Sequence, residues 1–354
     1  MNQPTPDTLL AALRAVQDPD LKQDIVSLGF VKDLSIHDGD VTFTLELTTP
    51  ACPVREILKD QARKAAADVP GVKRVFLTVT SRVRPGTPAA GRAPIPGVKN
   101  IIAVASGKGG VGKSTVSANL AVALAKTGAA TGLLDADIYG PSLPMLLGVH
   151  ELPPTVGGRI CPAVAHGVKL VSTGFFIKAD DAVLWRGPML GKMIQQLLAD
   201  TDWGTLDYLI TDLPPGTGDI PMSLCQTVPI TGSVIVSTPQ DAALAIARKA
   251  VTMFRTMECP VLGLVENMSY FLCPHCGSRE EVFGHGGARQ AAESLGISFL
   301  GEIPLATALR AASDAGTPPA ADAARPLSVI FREIAGRVAA EASVAAAAGN
   351  VMPS

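Results

Sequence analysis

The stretch 101–115, IIAVASGKGGVGKST, contains glycines, lysines and a serine at the spacing that binds a phosphate chain. It satisfies the pattern G-x-x-x-x-G-K-(S/T), with Gly107 first and Ser114 last. Backbone N–H groups of such a loop converge on phosphate oxygens, and the helix that follows points its positive end at them. Lys113 is expected to neutralise the β and γ phosphates. The predicted nucleotide-binding residues of this loop are Gly107, Lys108, Gly109, Gly110, Val111, Gly112, Lys113, Ser114 and Thr115.

Two further stretches place acidic residues directly after apolar runs. LLDADIYGPS carries Asp135 and Asp137, either of which could orient an attacking water. In YLITDLPPGTGD the apolar run ends at Asp212, the position that holds Mg²⁺ in P-loop proteins, so we assign Mg²⁺ to Ser114 and Asp212. The glycine-rich segment that follows is predicted to be a mobile switch, in which the Gly216 N–H senses a γ phosphate.

Cys273 and Cys276 stand close together in the sequence CPHCG, where a tight turn can bring both thiolates to one metal or cluster. Four ligands are normally needed, and His275 and His285 could complete a zinc site. CPHC also occurs as an oxidoreductase dithiol, but such a dithiol should open a helix, whereas Gly-Ser-Arg follows here. A purely structural cysteine pair is a further alternative. The pattern alone does not decide among them.

Length and composition predict a two-domain α/β protein. The 354 residues exceed one ordinary core, and a 47% hydrophobic but only 4% aromatic content predicts an interior of Ala, Val, Leu and Ile. A net charge of −2 creates no field that recruits nucleic acid or acidic lipid. The first seven residues are polar, and no apolar run reaches membrane-spanning length. We therefore expect a cytoplasmic protein with no nucleic-acid or membrane partner, whose six cysteines are free thiols or metal ligands.

The predicted fold class is α/β, a P-loop NTPase with a mainly parallel sheet flanked by helices and preceded by a small α/β domain. Helix patterns at residues 8–16 and 54–67 and strand patterns at 28–36, 41–47 and 72–80 form the small unit. Strand patterns then recur at 101–105, 131–134, 168–171, 208–211, 233–237, 261–265 and 297–300, and a last helix begins at Pro326. The predicted division is a small domain at 1–84, an extended Pro/Gly-rich linker at 85–98 that buries nothing, an ATPase domain at 99–341 and a frayed low-complexity tail at 342–354.

Lys108 makes the phosphate loop GKGGVGKST, which resembles the deviant P-loop of the MinD, ParA and nitrogenase-iron-protein group. In that group this lysine reaches the nucleotide of a partner subunit, so the resemblance implies a homodimer with ATP between its subunits. It implies catalytic roles for Lys108 and Lys113, and it implies that Asp137 orients the attacking water. Asn267, after the apolar run VLGLVEN, matches the residue that reads adenine, with a surface-turn asparagine as the alternative. The absence of an Asn-Lys-x-Asp loop also favours ATP over GTP.

Six motifs in order, GKGGVGKST, DADIYGPS, WRGP, DLPPGTGD, STPQDAAL and ENMSYFLCPHCG, resemble the Mrp/ApbC family of iron-sulfur cluster carrier ATPases. In that family the cysteines matching Cys273 and Cys276 bind a cluster shared between subunits, which we expect to be a 4Fe-4S cluster. DPDLKQDIVSLGFV and TTPACP resemble the small domain of iron-sulfur cluster targeting factors, which implies that Cys52 is a functional thiol. Cys52 precedes the predicted helix at 54–67, whose dipole can lower a thiol pKa; a buried structural cysteine is the alternative.

The resemblance implies an ATP-dependent iron-sulfur cluster carrier. Such a protein binds a labile cluster at a homodimer interface, hydrolyses ATP slowly and transfers the cluster to apo-proteins, with cluster-assembly scaffold proteins as further partners. One alternative is a MinD/ParA-like positioning ATPase that binds DNA or membrane, against which the CPHC motif and the neutral composition argue. The other is a P-loop ATPase with a structural zinc site.

Overall fold

The computed structural model describes residues 3–86, 92–151, 153–176, 187–216, 218–228 and 230–349. The first part of the chain folds as a three-stranded sheet covered by two helices. Its elements are α1 Pro6–Leu13, β1 Gln17–Asp18, β2 Gln23–Asp24, β3 Val31–His37, β4 Asp40–Leu47, α2 Arg55–Ala67 and β5 Arg74–Ser81. β4 lies between β3, which is antiparallel to it, and β5, which is parallel. Alternate residues of β4, from Val41 to Leu47, are buried against α1 and α2, as the sequence pattern predicts. In the β3–β4 turn, Asp38 and Gly39 both have positive φ (51° and 88°), the geometry of a tight hairpin.

A nine-stranded sheet with helices on both faces organises the rest of the described chain. The elements are β6 Val98–Ser106, α3 Lys113–Lys126, β7 Thr131–Asp135, α4 Leu143–Leu146, β8 Thr155–Val156, β9 Arg159–Ile160, β10 Ala163–Ala165, β11 Val168–Ser172, α5 Gly187–Asp200, β12 Leu206–Asp212, α6 Asp219–Thr227, β13 Gly232–Ser237, α7 Asp241–Thr256, β14 Val261–Leu272, β15 Arg279–Glu280, α8 Gly287–Leu295, β16 Phe299–Leu305, α9 Thr307–Asp314 and α10 Pro326–Gly349. The strand order is β10, β11, β7, β12, β6, β13, β14, and both β15 and β16 pair with β14. Neighbouring strands are parallel except for β10 with β11 and β15 with β14. The predicted fold class is therefore confirmed.

Burial on both faces explains the continuous apolar runs of the central strands. Residues of β6 from Asn100 to Ser106 are all buried, with α3 and α10 against one face of the sheet and α5, α7 and α8 against the other. Parallel strands need crossover helices, which cover both faces, so their sequences do not alternate. β7, β12 and β6 lie side by side in parallel, so the loops after their carboxyl ends meet at one edge of the sheet.

Helix α10 continues to Gly349, so the prediction of a frayed tail is wrong for residues 342–349; residues 350–354 lie outside the described part. Ala342 and Ala346 are only 2% and 5% exposed, and this end of the helix shares a small cavity with Leu21 and Phe30 of the small domain. Alanine has the highest helix propensity, so an alanine run extends a helix although it lacks the large apolar residues that form a recognisable pattern.

Hydrogen bonds and apolar contacts hold the small domain against the large one. The buried Tyr208 hydroxyl of β12 donates to Thr49 Oγ1 at 2.9 Å, and Asn100 Nδ2 donates to the Arg84 carbonyl at 3.0 Å. Ala51 is buried in the same apolar cluster as α3 and α10. The two sheets therefore share a packed interface.

The second half of the predicted linker contacts the large domain. Arg92 Nη2 donates to the Met257 carbonyl at 2.9 Å, and Ile95 packs on the core beneath α5 and α7. The prediction that the linker buries nothing is therefore wrong for residues 92–98. Residues 87–91 lie outside the described ranges.

Candidate functional site

Asp212, at the end of β12, is completely buried and accepts three hydrogen bonds from the start of α3. Lys113 Nζ and Ser114 Oγ each lie 2.6 Å from its Oδ2, and Ser117 Oγ donates to its Oδ1 at 2.6 Å. A buried carboxylate is costly unless it is paired and hydrogen-bonded, and here one ammonium and two hydroxyls satisfy it. The residues predicted for phosphate and Mg²⁺ therefore lie within hydrogen-bond distance of one another.

Ser117 is a site residue that the sequence analysis did not identify. It lies one helical turn after Lys113, so both side chains project from the same face of α3 toward β12. Besides its bond to Asp212, its hydroxyl donates to the Lys113 carbonyl at 3.1 Å. The spacing of four residues is the signal that could have indicated it.

The phosphate loop between β6 and α3 depends on glycine backbone geometry and on Asn267. Gly112 has φ 80°, and a Cβ at this position would lie 2.2 Å from Asn267 Nδ2. That amide donates to the Val111 carbonyl at 2.8 Å, so Asn267 contacts the loop itself. Positive φ costs glycine little, which lets the loop close around a ligand.

A cavity of about 490 Å³ opens beside the phosphate loop. One wall is formed by the loop and by Lys113, Ser114 and Thr115, and the opposite wall by Asn267 with residues at the end of β16 and along α9. The size suits a nucleotide-like ligand, since ligand pockets run from about 300 to 1,000 Å³. Asn267 lines the wall where a base would lie if the phosphates occupied the loop, and its role in reading adenine stays a prediction.

The structure gives different surroundings to Asp135 and Asp137. Asp135 Oδ2 accepts hydrogen bonds from the Leu143 N–H at 3.1 Å and the Ser172 hydroxyl at 3.0 Å, and burial with the nearby Asp212 raises its pKa to about 7. Asp137 lies 3.6 Å from Lys113 Nζ, and its buried Oδ1 has no hydrogen-bond partner. Burial raises the Asp137 pKa, and the Lys113 charge opposes that rise. Asp135 is thus engaged by hydrogen bonds from Leu143 and Ser172, whereas Asp137 faces Lys113 and keeps one oxygen without a hydrogen-bond partner.

Two loop residues predicted to contact nucleotide have other partners here. The Gly216 N–H donates to the Ser106 carbonyl at 2.8 Å, so sensing a γ phosphate would require this bond to break. Lys108 is half-buried, and its carbonyl accepts a bond from the Ser106 hydroxyl at 3.0 Å. Both roles stay predictions. Of the motif WRGP, Trp185 and Arg186 lie outside the described residues.

The cysteine pair lies at the outer end of β14. Gly277 N–H donates to the Cys273 carbonyl, and Cys273 N–H donates to the Ser278 carbonyl, both at 2.9 Å, which closes the loop. The Ser278 hydroxyl lies 3.2 Å from Cys276 Sγ. Hydrogen bonds from Ser278 and from the Cys273 thiol lower the pKa of Cys276, which is exposed. Two sulfurs in contact, one with stabilised thiolate character, fit the prediction that they bind one metal or cluster.

The structure does not assemble the zinc ligands that the sequence offered as an alternative. His285 Nε2 lies 2.7 Å from Glu302 Oε2. Within the described ranges, the group of His, Cys, Asp and Glu whose ligand atoms come within 4.8 Å of one another consists of Glu266, His285 and Glu302, and it contains no cysteine. A zinc site using Cys273, Cys276 and His285 would therefore need the cysteines and His285 to come closer together.

Cys52 lies at the seam between the small domain and α10, beside Arg332 and Gly336. Burial raises the pKa of its thiol to about 11, and the carboxylates of Asp18 and Asp20 add to the rise. The prediction that the helix dipole lowers this pKa is wrong, because desolvation of the thiolate outweighs the effect of the α2 N-terminus. A functional role for the thiol stays a prediction.

A phosphate loop between a central parallel strand and a helix, with a buried aspartate on the neighbouring strand, defines a P-loop NTPase. A family model described as NUBPL iron-transfer P-loop NTPase matches residues 97–339, and one described as iron-sulfur cluster assembly protein matches residues 6–77. The chain belongs to the NUBPL iron-transfer P-loop NTPase family. The resemblance inferred from the motifs is thus confirmed.

Individual relatives extend this similarity over the whole chain. An iron-sulfur cluster carrier protein of Synechocystis is 48% identical over 351 residues, which cover 96% of this chain and 99% of the relative. A solved nucleotide-binding protein from Archaeoglobus fulgidus, in complex with ADP, is 43% identical over 63% of this chain and 88% of its own, with a TM-score of 0.56. The cell division ATPase MinD of Pyrococcus furiosus is 23% identical over 68% of this chain and 98% of its own, with a TM-score of 0.52, and shares the fold. Among the described helices, none is long and apolar enough to cross a bilayer.

Proposed function

We propose that this protein is an ATP-dependent iron-sulfur cluster carrier, which accepts a labile cluster and passes it to apo-proteins. The family description and the name of the Synechocystis relative support the carrier function. The observation that carries the proposal is the tight turn that brings Cys273 and Cys276 together at the end of a strand that also bears Asn267. One strand thus joins the candidate nucleotide site to the candidate cargo site. Apo-proteins, and scaffold proteins that supply the cluster, are the proposed partners.

Nucleotide would bind in the phosphate loop, with Lys113 facing the phosphates. Mg²⁺ would be held by Ser114 and, through water, by Asp212, and it would neutralise charge on the phosphate oxygens. The donor set fits such a cation, because hydroxyl and carboxylate oxygens already converge at 2.6 Å. Asp137, whose Oδ1 has no hydrogen-bond partner, would orient the attacking water. Slow ATP hydrolysis is the reaction proposed for these residues.

A two-fold axis would supply the ligands that one chain lacks. A 4Fe-4S cluster is usually held by four thiolates, and each chain offers one close pair. In an isologous dimer the same patch meets its own copy, so two CPHC loops near the axis would present four sulfurs to one cluster. Lys108 of each subunit would reach the partner's nucleotide across the same interface. We also propose the domain division into a small domain at 1–84, a linker at 85–98, an ATPase domain at 99–341 and a tail at 342–354. Two parts of it are changed by the structure: residues 92–98 contact the large domain, and residues 342–349 continue helix α10.

Anaerobic reconstitution tests the proposal. Iron, sulfide and protein assays should give one four-iron cluster per two chains, and analytical ultracentrifugation should place the cluster in a dimer. Cys273→Ala or Cys276→Ala should lose the cluster while ATP binding survives, whereas Cys161→Ala, a half-buried cysteine elsewhere in the large domain, should retain it. Zinc in place of iron after anaerobic purification, or a stable cluster in the monomer, would contradict the proposal.

A further inference from the structure

Strand β14 bends before it reaches the cysteines. Its register with β16 shifts between Asn267 and Phe271, and Met268 has φ 55°, so the strand bends at this point. Beyond the bend, Phe271 and Leu272 pair with the short antiparallel strand β15. The cysteine loop, residues 273–285, therefore continues from the end of β14 as a hairpin whose return strand is β15, and its position depends on how its two ends are held.

A buried carboxylate of β14 holds the start of α8, directly after the hairpin. Glu266, which is completely buried, accepts a hydrogen bond from the Ser269 hydroxyl at 2.6 Å. It also accepts bonds from the N–H groups of Gly286 at 3.0 Å and Ala288 at 2.7 Å, at the start of α8. These N–H groups have no partner within the helix, so Glu266 caps α8 and attaches it to β14.

The far end is held by His285. Its Nε2 lies 2.7 Å from Glu302 Oε2 on β16, and the Ser269 hydroxyl lies 3.2 Å from the same oxygen. The imidazole edge also faces the Tyr270 ring at 6.5 Å, and the Arg279 guanidinium stacks 3.9 Å from that ring on the loop's return strand. Ser269 therefore joins the two carboxylates, and both ends of the hairpin meet in one network.

We infer that His285 is a positioning residue for the cysteine pair, which it serves by fastening the far end of the 273–285 hairpin to Glu302. Both oxygens of Glu266 accept hydrogen bonds from the chain, so the Glu266, His285 and Glu302 group connects β14, β16 and the start of α8. The inference rests on the proposed function for the nature of the cargo, but the fastening itself is a property of the apo chain.

Hydrogen exchange of the full-length apo protein tests the fastening directly. His285→Phe keeps a ring against Tyr270 but removes the donor, and His285→Gln places an amide donor where Nε2 lies. We expect peptides covering residues 273–284 to exchange at least tenfold faster in the Phe variant and within threefold of wild type in the Gln variant. His37→Phe, at an exposed histidine of the small domain, is the control and should leave exchange unchanged. Glu302→Gln, tested in case the Phe variant fails to fold, should also speed exchange.

The loaded protein gives the second readout. The reconstituted cluster should be lost to an iron chelator at least threefold faster from the Phe variant than from wild type, and the Gln variant should restore the lifetime. Unchanged loop exchange in the Phe variant, or a Gln variant as fast as Phe, would overturn the inference. If the wild-type chain takes up no cluster, the proposed function fails while exchange in the apo chain still decides the role of His285.

Discussion

Replacing Lys113 with methionine should both weaken nucleotide binding and destabilise the nucleotide-free protein. In the structure this lysine pairs with Asp212 at 2.6 Å, and the two side chains are 6% and 0% exposed. Breaking a buried pair by removing one partner costs about 3–5 kcal/mol, because the other charge is left buried. Ser114 and Ser117 would still donate to Asp212, so we expect the lower end of this range.

The stability change can be measured by calorimetry. A domain of roughly 250 residues unfolds with an entropy of about 0.5 kcal/mol/K, so a loss of about 3 kcal/mol lowers Tm by about 6 °C. Adding Asp212→Asn removes the unpaired charge, and the double variant should regain at least half of that loss. Lys126→Met, at the exposed end of the same helix, should leave Tm unchanged.

Isothermal titration separates binding from stability. A charge-assisted contact to phosphate contributes about 1.5–3 kcal/mol, so ATP affinity should fall at least tenfold in Lys113→Met. The double variant should not recover it, since no cation returns to the loop. A Lys113→Met variant with the same Tm as wild type would refute the buried-pair argument. A double variant no more stable than the single variant would refute it as well. Unchanged ATP binding would refute the phosphate-loop assignment.

Three further predictions concern other residues of the site. Asp137→Asn should keep ATP affinity within threefold but slow steady-state hydrolysis by about 100-fold; full activity would move the water-orienting role elsewhere. The pKa of Asp135, about 7, lies above the ordinary aspartate pKa of 3.8, so the stabilising contribution of Asp135 is complete below pH 4 and is lost as the pH rises to 7. Asp135→Asn should therefore reduce the fall in unfolding free energy between pH 4 and 7 by up to about 4 kcal/mol, and a slope equal to wild type would contradict this. With its pKa raised to about 11, Cys52 should react with iodoacetamide at pH 8 about 100-fold more slowly in the native chain than in urea, as measured by peptide mass spectrometry, and equal rates would count against the burial.

The phosphate loop and the parallel sheet were predictable from sequence because local physics determines both. Backbone N–H groups can converge only in a glycine-rich turn, and strands buried on both faces must be continuously apolar, so the stretch 101–115 contains both signals. The β3–β4 turn at Asp38 and Gly39 is equally local. Family motifs located Asp212 and the cysteine pair, although their distances could not be read from spacing.

Tertiary structure decided what depends on burial and on contacts between distant segments. The pKa of Cys52 rises because α10 and the small domain exclude water from it, which its place before a helix does not reveal. Asp135 and Asp137 look equivalent in sequence and differ because Leu143 and Ser172 donate to the first, whereas Lys113 lies beside the second. The alanine-rich tail is helical to Gly349 and packs between the two sheets, and His285 fastens the cysteine loop through Glu302 on another strand. Each of these features depends on contacts between separate segments of the chain, which no local sequence pattern predicts.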